Sequence, residues 1–162
     1  LQNEIPEPAN LALATRARAA GVTVLLNAAP ARPANPALLA LTDILVVNRV
    51  EAADLLGHAT DPVQAAPRLA ALGPRAVIVT LGSDGLILHD GTTQHLPAHT
   101  ITPISSHGAG DAFIGALAAR LAAGQPLSAA ARFAAAAAAL HVATPPEDRT
   151  TITPAQVASL LA

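Results

Sequence analysis

The chain has 162 residues, of which 52% are hydrophobic, 12% charged and 1% aromatic, with no Cys and a formal net charge of −2. A chain of this length buries roughly 70% of the surface it exposes when unfolded, so one core suffices without cross-links, and disulfides and Cys-ligated zinc are excluded. All nine cationic side chains are Arg, spread singly from Arg16 to Arg149, so there is no basic patch for nucleic acid and no Lys for a P-loop.

The opening LQNEIPEPAN has neither the basic segment nor the apolar run of a leader, which makes a cytoplasmic location the expectation. Asn10 is placed to cap a helix through about residue 20, with Leu11, Leu13 and Ala14 on one face and Gly21 as its left-handed stop. Residues 22–26 read as a buried strand. Pro30, Pro33 and Pro36 mark a loop, the short apolar turn PALLAL follows, and residues 44–47 form a second β-branched run. Residues 51–56 suit a short helix closed by Gly57. Asp61 and Pro62 open another, which Pro67 is expected to break or to restart as a first-turn residue. Residues 76–79 are a third buried strand, residues 82–85 a glycine turn, and residues 86–89 and 93–96 a hairpin around the two-residue signal Asp90-Gly91. The alternation of strand and helix up to this point marks helices packed on a parallel sheet.

Beyond an extended piece at 100–104 the chain turns helical, over residues 111–123, 128–143 and 154–161, each with a cap signal. Six alanines, 134–139, lie between Phe133 and Leu140 and read as close-packed helix. The apolar runs 112–123 and 129–143 are broken by Arg120, and by Arg132 and His141, so neither reaches the ~18 residues of a membrane span.

The segment Ser105-Ser106-His107-Gly108-Ala109-Gly110-Asp111 sets a small-residue turn between an extended piece and a helix start. Backbone N–H groups at such a turn face outward and the helix end is partially positive, which suits an anion. A carboxylate beside a bound phosphate is repulsive, so Asp111 makes chemical sense if a hydroxyl must lose its proton there. Phosphoryl transfer needs that pair of parts, N–H donors and a nearby base. An Asp serving only as a helix-entry residue accounts for the same pattern.

Two further groups stand at the ends of expected strands, where open α/β sheets place ligands. Asn48 could donate to a phosphate and Glu51 could hold Mg2+ or its waters, while an Asn cap with Glu three residues on explains the spacing equally. Thr80, Leu81, Gly82, Ser83, Asp84 and Gly85 allow a nucleotide contact along the main chain, or a plain tight turn. His95 and His99 have Pro97 between them in an extended segment, which argues against zinc.

In this order along the chain, these residues resemble the ribokinase (PfkB-type) family of carbohydrate kinases. Asn27-Ala28-Ala29-Pro30-Ala31 looks like the family's Asn-Pro-Ala-Pro-Ala segment, residues 48–51 like its Asn-x-x-Glu, residues 80–85 like its nucleotide loop, and residues 108–111 like its Gly-Ala-Gly-Asp signature. The resemblance implies a three-layer α/β/α fold with a largely parallel sheet, incomplete at its N-terminal side. Residues 1–162 would be a single nucleotide-binding and catalytic portion, without the half that holds the sugar-binding glycines and lid. It further implies that Asp111 binds the sugar and deprotonates its hydroxyl, that Gly108, Ala109 and Gly110 form an anion hole, and that residues 80–85 contact ATP. Asn48 and Glu51 would manage phosphate and Mg2+. Ser105 stands where the family often has an Asp; with His107 it marks the position of a monovalent cation, K+. Ala135 falls at an adenine-side Asn or His. The implied activity is ATP-dependent phosphorylation of a ribose-like sugar, by a homodimer in the full-length protein. A truncated or regulatory nucleotide-binding module is the alternative.

Overall fold

The uninterrupted β-branched runs become adjacent central strands in the computed structural model of the chain, which describes residues 1–33 and 35–161. Five strands pair in sequence order: β1 (Leu25–Asn27), β2 (Ile44–Asn48), β3 (Ala76–Thr80), β4 (Leu86–His89) and β5 (Thr93–Leu96). The pairs β1/β2 and β2/β3 are parallel, and β3/β4 and β4/β5 antiparallel, so the α/β fold has a mixed sheet. The first four residues of β2 and of β3 are all buried, as strands covered on both faces require. In β5 only Leu96 is buried, which fits an edge. Residues 1–3 run parallel along the other edge: Gln2 bridges Asn27, the Asn27 N–H donates to the Leu1 carbonyl at 3.0 Å and the Asn3 N–H to the Ala29 carbonyl at 2.9 Å.

The chain divides into two compact units, Leu1–Gly82 with Leu86–Leu96, and Ser83–Gly85 with the chain from Pro97 onward. The first holds the sheet and four helices: α1 (Glu7–Ala19), α2 (Pro36–Leu41), α3 (Arg49–Leu56) and α4 (Pro62–Ala70). One face of the sheet, with Leu26, Leu45, Val47, Val77, Val79 and Ile87, shares a core with Ala14 of α1, Leu38 and Leu39 of α2, Ala52 of α3 and Ala65, Ala66 and Leu69 of α4. Each large aliphatic side chain so buried stabilises by about 1.5–3 kcal/mol. Asp43 ties the strand starts: its carboxylate accepts from the Val24 N–H at 2.8 Å and from Arg18 at 2.9 Å, with Arg75 at 3.4 Å.

The second unit is built from α5 (Ala109–Ala122), α6 (Leu127–Ala143) and α7 (Pro154–Ser159), with a 3-10 segment at Pro146–Thr151. Ala130, Ala131, Ala134 and Ala136 of α6 are fully buried, as is Leu117 of α5. Methyl-sized side chains let two helices approach closely, and the Arg120 guanidinium lies 3.6 Å from the centre of the Phe133 ring, closing the α5/α6 pair. Among the described residues no helix is long and apolar enough to cross a membrane.

Several local expectations change. Asn10 does not cap α1: the helix starts at Glu7 behind Pro6, with Pro8 in its first turn, and Asn10 is 1% exposed, donating Nδ2–H to the Gln2 carbonyl at 2.8 Å. Two prolines pre-set for a first turn outweigh one side-chain cap. Strand β1 is shorter than residues 22–26, since Val22 is 56% exposed and has no core to face. PALLAL is helix rather than turn, because Asn35 accepts from the N–H groups of Ala37 and Leu38. Pro67 neither breaks nor restarts α4. It removes one donor, the one that would face the carbonyl of Val63, while Ala65, Ala66 and Leu69 stay buried on one stripe. The hairpin loop has three residues, Asp90, Gly91 and Thr92, with His89 paired to Thr93.

Candidate functional site

The candidate residues fall into the two units. Asn48, Glu51, Thr80, Leu81 and Gly82 belong to the first, and Ser83, Asp84, Gly85, Ser105, His107, Gly108, Ala109, Gly110 and Asp111 to the second.

In the first unit β2 runs out into α3. Asn48 is paired in register with Thr80, so the two strand-end polar residues lie side by side, and the Thr80 hydroxyl donates to the Val47 carbonyl at 3.3 Å. Asn48 Oδ1 accepts from the N–H groups of Val50 at 2.8 Å and Glu51 at 2.9 Å, while Glu51 Oε2 accepts from the Asn48 N–H at 2.8 Å. This is a complete capping box, which satisfies orphan donors at both residues. Glu51 is 8% exposed. Burial raises its pKa, the Asn48 N–H pulls it down, and the charge of Asp54 raises it further. Leu81 is half-buried against the core, and Gly82 (φ 63°) begins the 3-10 turn Gly82–Asp84. Ser83 and Asp84 are exposed, and Gly85 (φ 90°) closes the turn in a backbone region that L-residues avoid.

In the second unit the extended piece at 100–104 forms no strand; it is anchored where the Ile104 and Ser105 N–H groups both donate to the Val142 carbonyl, at 2.8 and 3.2 Å. The Ser105 hydroxyl oxygen accepts from the His107 N–H at 3.4 Å. Gly108 then takes φ 78° and caps α5. Its pro-side-chain position is filled: a Cβ there would lie 2.9 Å from His141 Nε2. That nitrogen donates to the His107 carbonyl at 3.0 Å, and Arg149 donates to the same oxygen at 2.9 Å and to the Ser105 carbonyl at 2.8 Å. Ala109 spends its N–H on the Ser106 carbonyl at 3.2 Å. Gly110 and Asp111 follow at the second and third helical positions, where N–H groups have no acceptor inside the helix. A Cβ at Gly110 would meet nothing within 4 Å, so the approach to these amides is open. Asp111 is exposed, and among the described residues its carboxylate makes no hydrogen bond or ion pair.

The two junctions therefore differ in what they leave over. The first uses Asn48 Oδ1 and one oxygen of Glu51 in the cap; among the described residues the second presents donors and a carboxylate without internal employment. Sequence reasoning did not find His141 and Arg149, which grip the turn from 34 and 42 residues away along the chain. No local pattern encodes such contacts. Ala135, in α6, carries only a methyl group. Among the described residues no three His, Asp or Glu gather where they could hold a metal ion.

The sequence pattern of the pfkB family carbohydrate kinases matches residues 1–149, and the chain belongs to that family. It is 39% identical over 119 residues to a ribokinase of Lactococcus lactis subsp. lactis, covering 73% of this chain and 38% of that protein. It is 38% identical over 152 residues to a ribokinase of Schizosaccharomyces pombe, covering 88% and 48%. The fold superposes on the structure of Arabidopsis thaliana ribokinase complexed with ribose and ATP, with a TM-score of 0.90 at 31% identity over 99% of this chain and 54% of that one. The chain thus spans between about two fifths and one half of the length of the curated ribokinases it matches.

Proposed function

We propose that this chain carries the ATP-side and phosphoryl-transfer residues of an ATP-dependent sugar kinase acting on a ribose-like hydroxyl. The observation that supports it most is the unemployed carboxylate of Asp111, exposed in the first turn of α5 beside main-chain donors that nothing in the helix satisfies. Asp111 would accept the proton of the sugar hydroxyl as its oxygen bonds to the γ-phosphorus. The bond from that phosphorus to the bridging oxygen breaks, and ADP leaves with the electron pair. The N–H groups of Gly108, Gly110 and Asp111 would face the charge on the transferred oxygens, a stabilisation worth up to about 3–4 kcal/mol per donor. Ala109 contributes backbone shape rather than a donor, because its N–H is taken. Residues 80–85 would lie along the nucleotide.

Magnesium fits the donor set. It prefers oxygen ligands, keeps several waters and takes other ligands from phosphates, so it needs no protein cage. Glu51 is the residue that would hold one of its waters, and a bound Mg2+ would neutralise phosphate charge during transfer. The cap already orients this carboxylate through Asn48.

Calorimetry with Mg-ATP followed by transfer of labelled phosphate to a panel of sugars tests the reading. ATP binding with transfer to ribose is the expected result. Binding without transfer to any sugar favours a nucleotide-binding module. Absence of ATP binding removes the proposal.

A further inference from the structure

The two residues singled out for a monovalent cation, Ser105 and His107, turn their carbonyl oxygens to one group that is already positive. Arg149 donates from Nη2 to the Ser105 carbonyl at 2.8 Å, from Nη1 to the His107 carbonyl at 2.9 Å and from Nε to the Thr144 carbonyl at 3.2 Å. Three main-chain oxygens facing one cation resemble the carbonyl surround that K+ binds elsewhere in proteins. Here the guanidinium fills it, with a planar fork of N–H donors matched to the oxygens. The Ser105 hydroxyl, in the place of a family Asp, adds no charge and accepts from the His107 N–H instead. The donor set therefore does not fit a K+ ion: its carbonyls are occupied and its carboxylate is missing.

We infer that Arg149 is a built-in cation, a positioning residue that holds the turn before Asp111 in place and makes the chain independent of monovalent cations. The geometry makes the link direct. The same His107 carbonyl that Arg149 holds precedes Gly108, whose left-handed backbone turns the chain into α5. His141 supplies a second donor to that oxygen, so the peptide plane is fixed from two sides. The catalytic consequence rests on the kinase reading; the ordering of the turn does not.

The test is hydrogen exchange of residues 104–112 in the full chain without nucleotide, in K+ and in tetramethylammonium at matched ionic strength. The wild-type chain is expected to exchange equally in both, and its Mg-ATP affinity, measured in parallel, to be unchanged. Arg149→Ala is expected to exchange at least about tenfold faster in tetramethylammonium and to recover protection when K+ or guanidinium ion is added. Arg149→Lys, which keeps a positive head but not the planar fork, is expected to exchange faster than wild type and slower than Arg149→Ala. A wild-type turn that tightens on adding K+ overturns the inference. So does Arg149→Ala exchanging like wild type, Arg149→Ala that neither ion restores, or Arg149→Lys as loose as Arg149→Ala. The wild-type arm holds even if Arg149→Ala does not fold. Loss of ATP binding with K+-indifferent exchange would count against the kinase reading alone.

Discussion

Two entries into a helix, residues 48–51 and residues 108–111, use polar and small residues in opposite ways. At the first, Asn48 and Glu51 close a reciprocal cap through Asn48 Oδ1 and Glu51 Oε2. At the second, no side chain caps α5, a glycine at φ 78° makes the turn, and the acidic residue of the first turn is exposed and has no partner among the described residues. The lesson is that a motif's chemistry is read from what the fold leaves unused. A carboxylate consumed by a cap needs a second argument before it is given a role in binding; an idle one beside open amides already has a reason to be there.

Gly110→Ala sharpens this contrast most. A Cβ meets nothing in the fold at this site, so unfolding measurements should show stability unchanged or raised by up to about 1 kcal/mol, from better helix propensity. The same methyl group would stand in the path of a phosphate, and turnover should fall about a hundredfold. Turnover that survives intact would break the assignment of these amides. Asp43→Ala is the contrasting case of a fully employed carboxylate: it should lose about 1–3 kcal/mol in denaturant unfolding, because the Val24 N–H and Arg18 both lose their acceptor. Gly108→Ala should cost about 1–2 kcal/mol for a left-handed Ala, together with displacement of His141 from its 2.9 Å approach. A melting curve like that of wild type would mean that the turn relaxes freely.

The smallest effect on stability is expected from Glu51→Gln. Gln also completes a capping box, so the helix start survives. Burial holds the Glu51 pKa above its ordinary 4.5, so the folded chain keeps a proton that the unfolded chain has lost. Stability from this group is full below that value and declines as pH rises through the raised one. The variant's advantage in urea should therefore grow from acid to neutral pH. A flat difference would show that Glu51 titrates normally.

Much of the fold was legible because its signals are local. The runs 44–47 and 76–79 are apolar throughout and became β2 and β3, and Gly57 and Asp61 marked helix ends where the backbone uses them. The start of α1 was not legible: Asn10 has the chemistry of a cap, yet Pro6 and Pro8 set the first turn upstream and its side chain turns inward to the Gln2 carbonyl. Pro67 misleads as a helix breaker because the apolar stripe of Ala65, Ala66 and Leu69 holds α4 down despite one lost donor. At the candidate site the glycine turn and Asp111 were visible as a motif, and the resemblance of the whole chain supplied the family. Invisible were the groups that hold the turn. His141 and Arg149 act through main-chain carbonyls, which every residue has, so their partners leave no mark on the sequence.

The central claim concerns the proton taken by Asp111, and Asp111→Asn tests it most directly. Mg-ATP affinity by calorimetry, thermal stability and phosphoryl transfer to ribose should be measured on the same preparations. An exposed carboxylate without partners leaves stability and nucleotide affinity almost unchanged when replaced by its amide, while transfer should drop by about 10²–10⁴. Transfer at the wild-type rate would contradict the account, because an amide cannot accept the hydroxyl proton.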